Sequence, residues 1–189
     1  MKEFIDFLSD YGNLDQQQID YVTNKATESV LLKNEHFWEA GKVSQYVGFT
    51  IEGVLRVYYY NNKGEDITSY FVEENHLITD WENSDGSFIP VANLQAITDC
   101  KLIVFSKQDW KEISSNIASW NNIIRQVITK HKTEKLERRG SLVSEDATER
   151  YLSFLQKYPN IINRIPLSYV ASYLGIRQQS LSRVRKSIR

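Results

Sequence analysis

The sequence predicts an α+β chain: an antiparallel β-barrel of jelly-roll type with flanking helices, then a long helix, then a C-terminal helix–turn–helix. Three observations predict it. Between Ser29 and Phe105, short β-rich runs recur at even spacing with turn signals between them. From Ile117 to His131, apolar residues recur three and four apart. The segment Ile165 to Arg189 carries two apolar faces on either side of Gly175, with a row of side-chain donors outside. The expected division is 1–143 for the barrel with its helices and 144–189 for the helix–turn–helix.

Phe4, Phe7, Leu8 and Tyr11 share one helical face. Asp15 and Gln18 form a D-x-x-Q capping box ahead of Ile19, Val22 and Ala26, so the chain opens with one or two short helices. The opening MKEFIDFLSD lacks the basic-then-apolar pattern of a signal peptide, and no apolar run reaches membrane-spanning length. A cytoplasmic protein without a membrane partner is expected. Cys100 is the single cysteine, which excludes an intramolecular disulfide framework and suits a reducing compartment.

The expected strands are Val30–Leu32, Tyr46–Ile51, Val54–Tyr60, Ile67–Val72, Leu77–Ile78, Val91–Ile97 and Leu102–Phe105. Ala40-Gly41, Glu52-Gly53, Asn61–Gly64 and Ser84–Ser87 separate them, and Asn61–Gly64 is the clearest hairpin. Trp38, Phe49, Tyr58, Tyr60, Phe71, Trp81 and Phe88 fill or rim the barrel, either as core or as a stacking surface for a planar ligand. Asp109 to Ser114 reads as a short helix.

Ile117, Trp120, Ile124, Val127 and His131 make an a/d seam, and the spacing predicts a dimer helix over about 117–140 that meets a second copy of the chain. Ile123 and Ile128 lie beside the seam, turned to the barrel. The alternative is a helix packed only on its own barrel. Gly140-Ser141 to Asp146 reads as a hinge, with Ser144 or Asp146 capping a helix that carries Tyr151, Phe154, Leu155 and Tyr158 and stops before Pro159.

In the final segment Val170, Ala171 and Leu174 face Ile176, Leu181 and Val184 across the turn glycine. Charge separates the same two parts. The chain holds 23 basic and 24 acidic residues, but Arg150 to Arg189 contains eight basic residues and no acidic one. An acidic body with a basic end is the electrostatic footprint of a nucleic-acid binder.

Helices, barrel, long helix and C-terminal helix–turn–helix in this order resemble the Crp/Fnr family of bacterial transcription regulators. The resemblance rests on Ala147-Thr148-Glu149-Arg150-Tyr151, Ile165-Pro166-Leu167, Ala171 to Ile176 and Leu181-Ser182-Arg183, which look like the branch common in the Bacteroidetes. In the barrel it rests on Gly41, Ile51-x-Gly53 and the Asn61–Gly64 hairpin. It implies that Gln178, Gln179, Ser182 and Arg183 read bases. Arg183 suits guanine O6/N7 and a glutamine suits adenine N6/N7, each pair discriminating by roughly 1–3 kcal/mol. Arg177, Arg185, Lys186 and Arg189 are better placed for phosphates. The implied partners are double-stranded DNA, a second copy of the chain, RNA polymerase and a small-molecule effector.

Two departures qualify what the resemblance implies. The family's cyclic-nucleotide binders use a Gly-Glu pair and a following arginine. Here Glu73-Glu74-Asn75 lacks the glycine, Pro90-Val91 falls near the arginine position, and Glu73, Glu74, Asp80, Glu82 and Asp85 are acidic. A cyclic phosphate needs a cation or a nest of N–H groups, so no cofactor is expected and cAMP is not bound in the usual way. The recognition helix also opens with Arg177, where a capping Ser or Thr is common. With the sequence ending at Arg189, any wing beyond that helix is short or absent.

His36, His76 and His131 lack zinc-ligand spacing, Cys100 lies in an expected strand, and no phosphate loop or nucleophile elbow is present, so neither a metal site nor an enzyme is expected. The competing reading is a ligand-binding or protein-interaction module whose helix–turn–helix reads no DNA.

Overall fold

The computed structural model describes residues 1–79 and 89–188. Helices α1 (Lys2–Ser9) and α2 (Gln16–Lys25) precede eight strands: β1 (Thr27–Leu31), β2 (His36–Trp38), β3 (Tyr46–Glu52), β4 (Leu55–Tyr60), β5 (Asp66–Val72), β6 (His76–Ile78), β7 (Asn93–Ala96) and β8 (Cys100–Ser106). Helices α3 (Lys107–Asn116), α4 (Trp120–Ser144), α5 (Ala147–Lys157), α6 (Leu167–Leu174) and α7 (Gln178–Ser187) follow. Among the described residues no helix is long and apolar enough to cross a membrane.

The strands form two antiparallel four-stranded sheets, ordered β1-β8-β3-β6 and β2-β7-β4-β5. They share one apolar interior that includes Leu55, Val57, Val72, Ile78, Leu94 and Leu102. Alternation along each strand then produces a second apolar face on each sheet. On β8, Leu102 points into the interior while Ile103 and Phe105 point out, beneath Phe4, Leu8, Ile113, Trp120 and Val127 of the helices. On β5, Val72 points in while Phe71 points out, beneath Tyr151, Phe154 and Tyr158 of α5 and Tyr173 of α6. The molecule is therefore layered: α1 to α4, first sheet, interior, second sheet, α5 to α7.

Local signals decide the element ends. Asp15 accepts from the Gln18 amide at 2.9 Å, and Gln18 returns a bond to the Asp15 amide at 3.0 Å, closing the expected capping box. In the β4–β5 hairpin the Asn61 side chain accepts from the amides of Lys63 and Glu65, and Gly64 takes φ +76°. Ser106 caps α3, which extends the expected Asp109–Ser114 helix at both ends.

Several expectations are corrected. The seam residues Ile117, Trp120, Ile124 and Val127 are buried against the chain's own first sheet and α1, and His131 stacks on His76 of β6. The three-and-four spacing marks the face on which α4 lies in its own body, because burial by the same chain and by a partner leaves the same pattern. Ile123 and Ile128 pack in that same cluster. The expected hinge is also narrower: α4 runs through Gly140 to Ser144, and only Glu145 and Asp146 break the helix. Phe49 and Phe71 lie on the outer sheet faces under helices, not inside the barrel. Tyr60 is exposed, while Trp38 packs on the interior cluster and Tyr58 is buried. Trp81 and Phe88 fall outside the described residues. Val91 lies before β7 and is 90% exposed, and β2 is a strand that the sequence signals miss.

His76 and His131 face each other at 4.1 Å between ring centroids, nearly parallel. Burial, then the charge of the partner ring and of Lys157, holds His76 well below the ordinary imidazole range. Burial, with Lys130 and Lys157 nearby, pushes His131 down to about 4. The unfolded chain therefore takes up protons at these rings before the folded chain does. Stability is complete above about pH 6.5, the unfolded histidine value, and declines as pH falls toward 4. Urea unfolding across that range is expected to show the decline, and His131→Phe is expected to flatten it.

Candidate nucleic-acid interface

The C-terminal helices are organised by short-range bonds. Asp146 accepts from the amides of Thr148 and Glu149 at 2.7 and 2.9 Å, and Glu149 accepts from the Asp146 amide at 2.8 Å. This capping box starts α5, so Asp146 and not Ser144 is the cap. Pro166 stands at the N-cap of α6, and its fixed φ suits a helix entry.

Gly175 ends α6 at φ 67°, ψ 31°. Its amide reaches the Ser172 carbonyl at 3.1 Å, and the Ile176 amide reaches the Ala171 carbonyl at 3.0 Å. This paired pattern is the Schellman motif, which requires a left-handed residue at the turn. Val170, Ala171, Leu174 and Leu181 are buried where α6 and α7 meet, with Ile176 and Val184 packed beside them.

The opposite side of α7 is open. Arg177, Gln178, Gln179, Arg183 and Lys186 are exposed, and Ser182 and Arg185 are partly so. At 3.6 residues per turn, Gln178, Gln179, Ser182, Arg183 and Lys186 occupy one side, away from Leu181 and Val184. All can donate hydrogen bonds, and no carboxylate lies between Arg150 and the end of the sequence. Arg177 occupies the N-cap and makes no side-chain cap bond, so the first amides of α7 point outward unsatisfied by a cap. The structure thus brings four expected base-reading positions and three expected phosphate positions onto one accessible helix. Arg189 lies outside the described residues.

The sequence reading misses a set of contacts behind this helix. Arg56, the second residue of β4, is 3% exposed, and among the described residues it is the one charged residue that is fully buried. It donates to Asp66 at 2.7 Å and to Gln95 at 3.2 and 3.3 Å. Its guanidinium lies over the Tyr58 ring at 4.3 Å and the Tyr169 ring of α6 at 3.7 Å. Ser172 Oγ accepts from the Thr68 amide at 2.9 Å and donates to the Asp66 carbonyl at 3.2 Å. Arg164 grips Glu74 with two bonds of 2.6 and 3.0 Å, and Glu74 also accepts from the Gly53 amide at 2.8 Å.

Burial alone would raise the Glu74 carboxyl, but Arg164 and the Gly53 amide outweigh it and hold the group below its usual range. Burial, reinforced by the charge on Glu74, raises Glu73. The acidic pair at the expected ligand position is therefore divided in role: Glu74 is an anchor for Arg164. Asp80, Glu82 and Asp85 fall outside the described residues. The sequence signal that marks Arg56 is a cation in the middle of Leu55-Arg56-Val57-Tyr58, where a strand covered on both faces leaves no water for it.

Among the described residues no group of three or more His, Cys, Asp or Glu side chains could hold a metal ion.

No family model matches this sequence, and no curated protein matches it. Solved structures do share its shape. A protein described as a transcriptional regulator of the crp/fnr family from Eubacterium rectale superposes with a TM-score of 0.72 at 16% identity, over 92% of this chain and 83% of that chain. FixK2 from Bradyrhizobium japonicum gives 0.69 at 18% identity, over 86% of this chain and 84% of that one. CLP from Xanthomonas campestris, described as a c-di-GMP-responsive global regulator, gives 0.69 at 13% identity over 92% and 91%. The chain has the fold of these regulators.

A residue with a side chain is strained at the φ that Gly175 adopts. Gly175→Ala is expected to cost roughly 1–2 kcal/mol in urea unfolding.

Proposed function

We propose that the protein is a sequence-specific, DNA-binding transcription regulator that acts as a homodimer in the cytoplasm. The observation that carries this is the accessible donor face of α7, at the end of a forty-residue stretch with eight basic and no acidic residues. In this reading α6 and α7 are the helix–turn–helix, and residues 144–189 the DNA-binding part. Gln178, Gln179, Ser182 and Arg183 meet base edges in the major groove, while Arg177, Arg185, Lys186 and Arg189 meet phosphates. The uncapped amides at the start of α7 supply further phosphate donors. Two copies place two such helices about 34 Å apart, in successive major grooves of a pseudo-palindrome. RNA polymerase is the expected protein partner.

The paired sheets of residues 1–143 form the jelly-roll sensor or scaffold. Their described interior is apolar, and Glu74 is engaged by Arg164. Both features argue against cAMP in the usual mode. The effector is a small molecule of other chemistry, or there is none. Calorimetric titration with cAMP is expected to show no tight stoichiometric binding.

Selection of bound sequences from a random DNA pool tests the reading, and a recovered palindrome with half-sites one helical turn apart is the expected result. At that site Arg183→Ala is expected to lose roughly 1–3 kcal/mol and relax one base position. Lys186→Ala is expected to weaken all sequences alike and to reduce the salt slope by about one. Sequence-blind binding by the unaltered protein, or none, would overturn the proposal.

A further inference from the structure

We propose that Arg56, Glu74, Tyr169 and Ser172 are positioning residues: together with Arg164 they latch α6 to the outer face of the β4–β5 sheet, and this latch, not the joint between α4 and α5, sets the direction of the recognition helix. The inference rests on the DNA-binding reading for its consequence and on geometry alone for its mechanism.

The joint is a poor orienting device. It is two residues long, and Glu145 and Asp146 bond to α5 itself, through the capping box and through Ser153 Oγ donating to Glu145 at 3.4 Å. The aromatic cluster beneath α5 and α6 supplies burial, but apolar contact is non-directional. Direction must come from bonds with fixed geometry.

Three such contacts hold α6 and the loop before it to this sheet, two at the start of β5 and one beyond its end. At its start, Ser172 Oγ takes the Thr68 amide and gives to the Asp66 carbonyl. Strand β5 is an edge of its sheet, so these are the backbone groups a further strand would pair. One hydroxyl on α6 occupies that place, and a shift of α6 by one turn would lose it. At the same end, Arg56 is fixed from the barrel side by Asp66 and Gln95, with the Tyr58 ring against one face of its guanidinium. Tyr169 of α6 covers the guanidinium at 3.7 Å. A buried guanidinium is stable only when its donors and faces are filled, so docking of α6 completes a site that the barrel leaves incomplete. Beyond its end, Glu74, held by the Gly53 amide, takes both bonds from Arg164 in the loop before α6. The strand between the outer two contacts is on the order of 20 Å long. Contacts separated by that distance resist tilting as well as sliding.

In the docked arrangement Gln178, Gln179 and Arg183 are exposed, so the latch holds the reading face in a presented state. In a dimer each recognition helix is then fixed to its own barrel, and the distance between the two is fixed with it. Loss of the latch should cost spacing selectivity before it costs contact with a half-site.

The test has two arms, both on the full chain. The first needs no DNA: hydrogen exchange of the Thr68 amide in Glu74→Gln and Tyr169→Leu, which leave the Ser172 contact intact. If the contacts act as one latch, Thr68 exchanges at least tenfold faster in both variants and as in the unaltered protein in Tyr169→Phe, which keeps the ring. Unchanged Thr68 protection would show three independent local contacts and overturn the proposal. The second arm measures binding to paired half-sites, at the selected spacing and one base pair longer or shorter, and to a single half-site. The variants are expected to lose about tenfold at the selected spacing, to discriminate less among spacings, and to keep single-site affinity. Equal losses on both DNAs would indicate general destabilisation, and tighter binding at the selected spacing would indicate that docking blocks DNA; either overturns the proposal. If the unaltered protein selects no sequence, the regulator reading falls, and the exchange arm still decides whether the barrel orients α6 and α7.

Discussion

Each sheet in this molecule has two apolar faces, and the space between the sheets covers only one of them. That constraint arranges everything else. A strand that alternates apolar side chains to both sides must be buried on both sides. The outer face of the first sheet is closed by α1, α3 and α4, with Trp120 and Val127 at the centre of the contact. The outer face of the second sheet is closed by α5 and α6 over Phe71. The C-terminal helices are thus the lid of a sheet, and their basic outer side is presented from a surface that the barrel supports.

The same constraint explains Arg56, the one fully buried charge among the described residues. Strand β4 is covered from both directions, so Arg56 has no route to water. A cation there is tolerated only with partners on every side, and Asp66, Gln95, Tyr58 and Tyr169 are those partners. Arg164 and Glu74 repeat the logic nearer the surface, with the carboxylate further held by a backbone amide.

What could be read from the sequence was what is written within a few residues. Asp15 with Gln18, Asp146 with Glu149, Asn61 with Gly64 and the turn at Gly175 all act over short separations, and each stands where its local chemistry places it. The α7 donor face was legible for the same reason. Long-range choices were not. The Ile117 to Val127 spacing says that a helix face is buried and is silent on what buries it. Glu74 and Arg164 are ninety positions apart, as are Thr68 and Ser172 by more than a hundred, and nothing local marks either pair. The stacking of His76 on His131 is likewise a product of topology, since β6 pairs with β3 and its Leu77 shares one core cluster with Ile124 and Val127 of α4.

The aromatic contact between the sheet and α5 and α6 bears on how such a chain can be recombined. Phe71 touches Phe154, Tyr158 and Tyr173 at ring distances of 6.0, 5.8 and 5.4 Å. A C-terminal segment grafted onto another barrel would carry three of these rings without the fourth, and would meet a sheet lacking Arg56 beneath Tyr169. The inherited unit is then not a contiguous stretch of sequence. It is the last forty residues together with scattered positions on β4, β5 and the turn after β5, which must change in step whenever the C-terminal helices are exchanged.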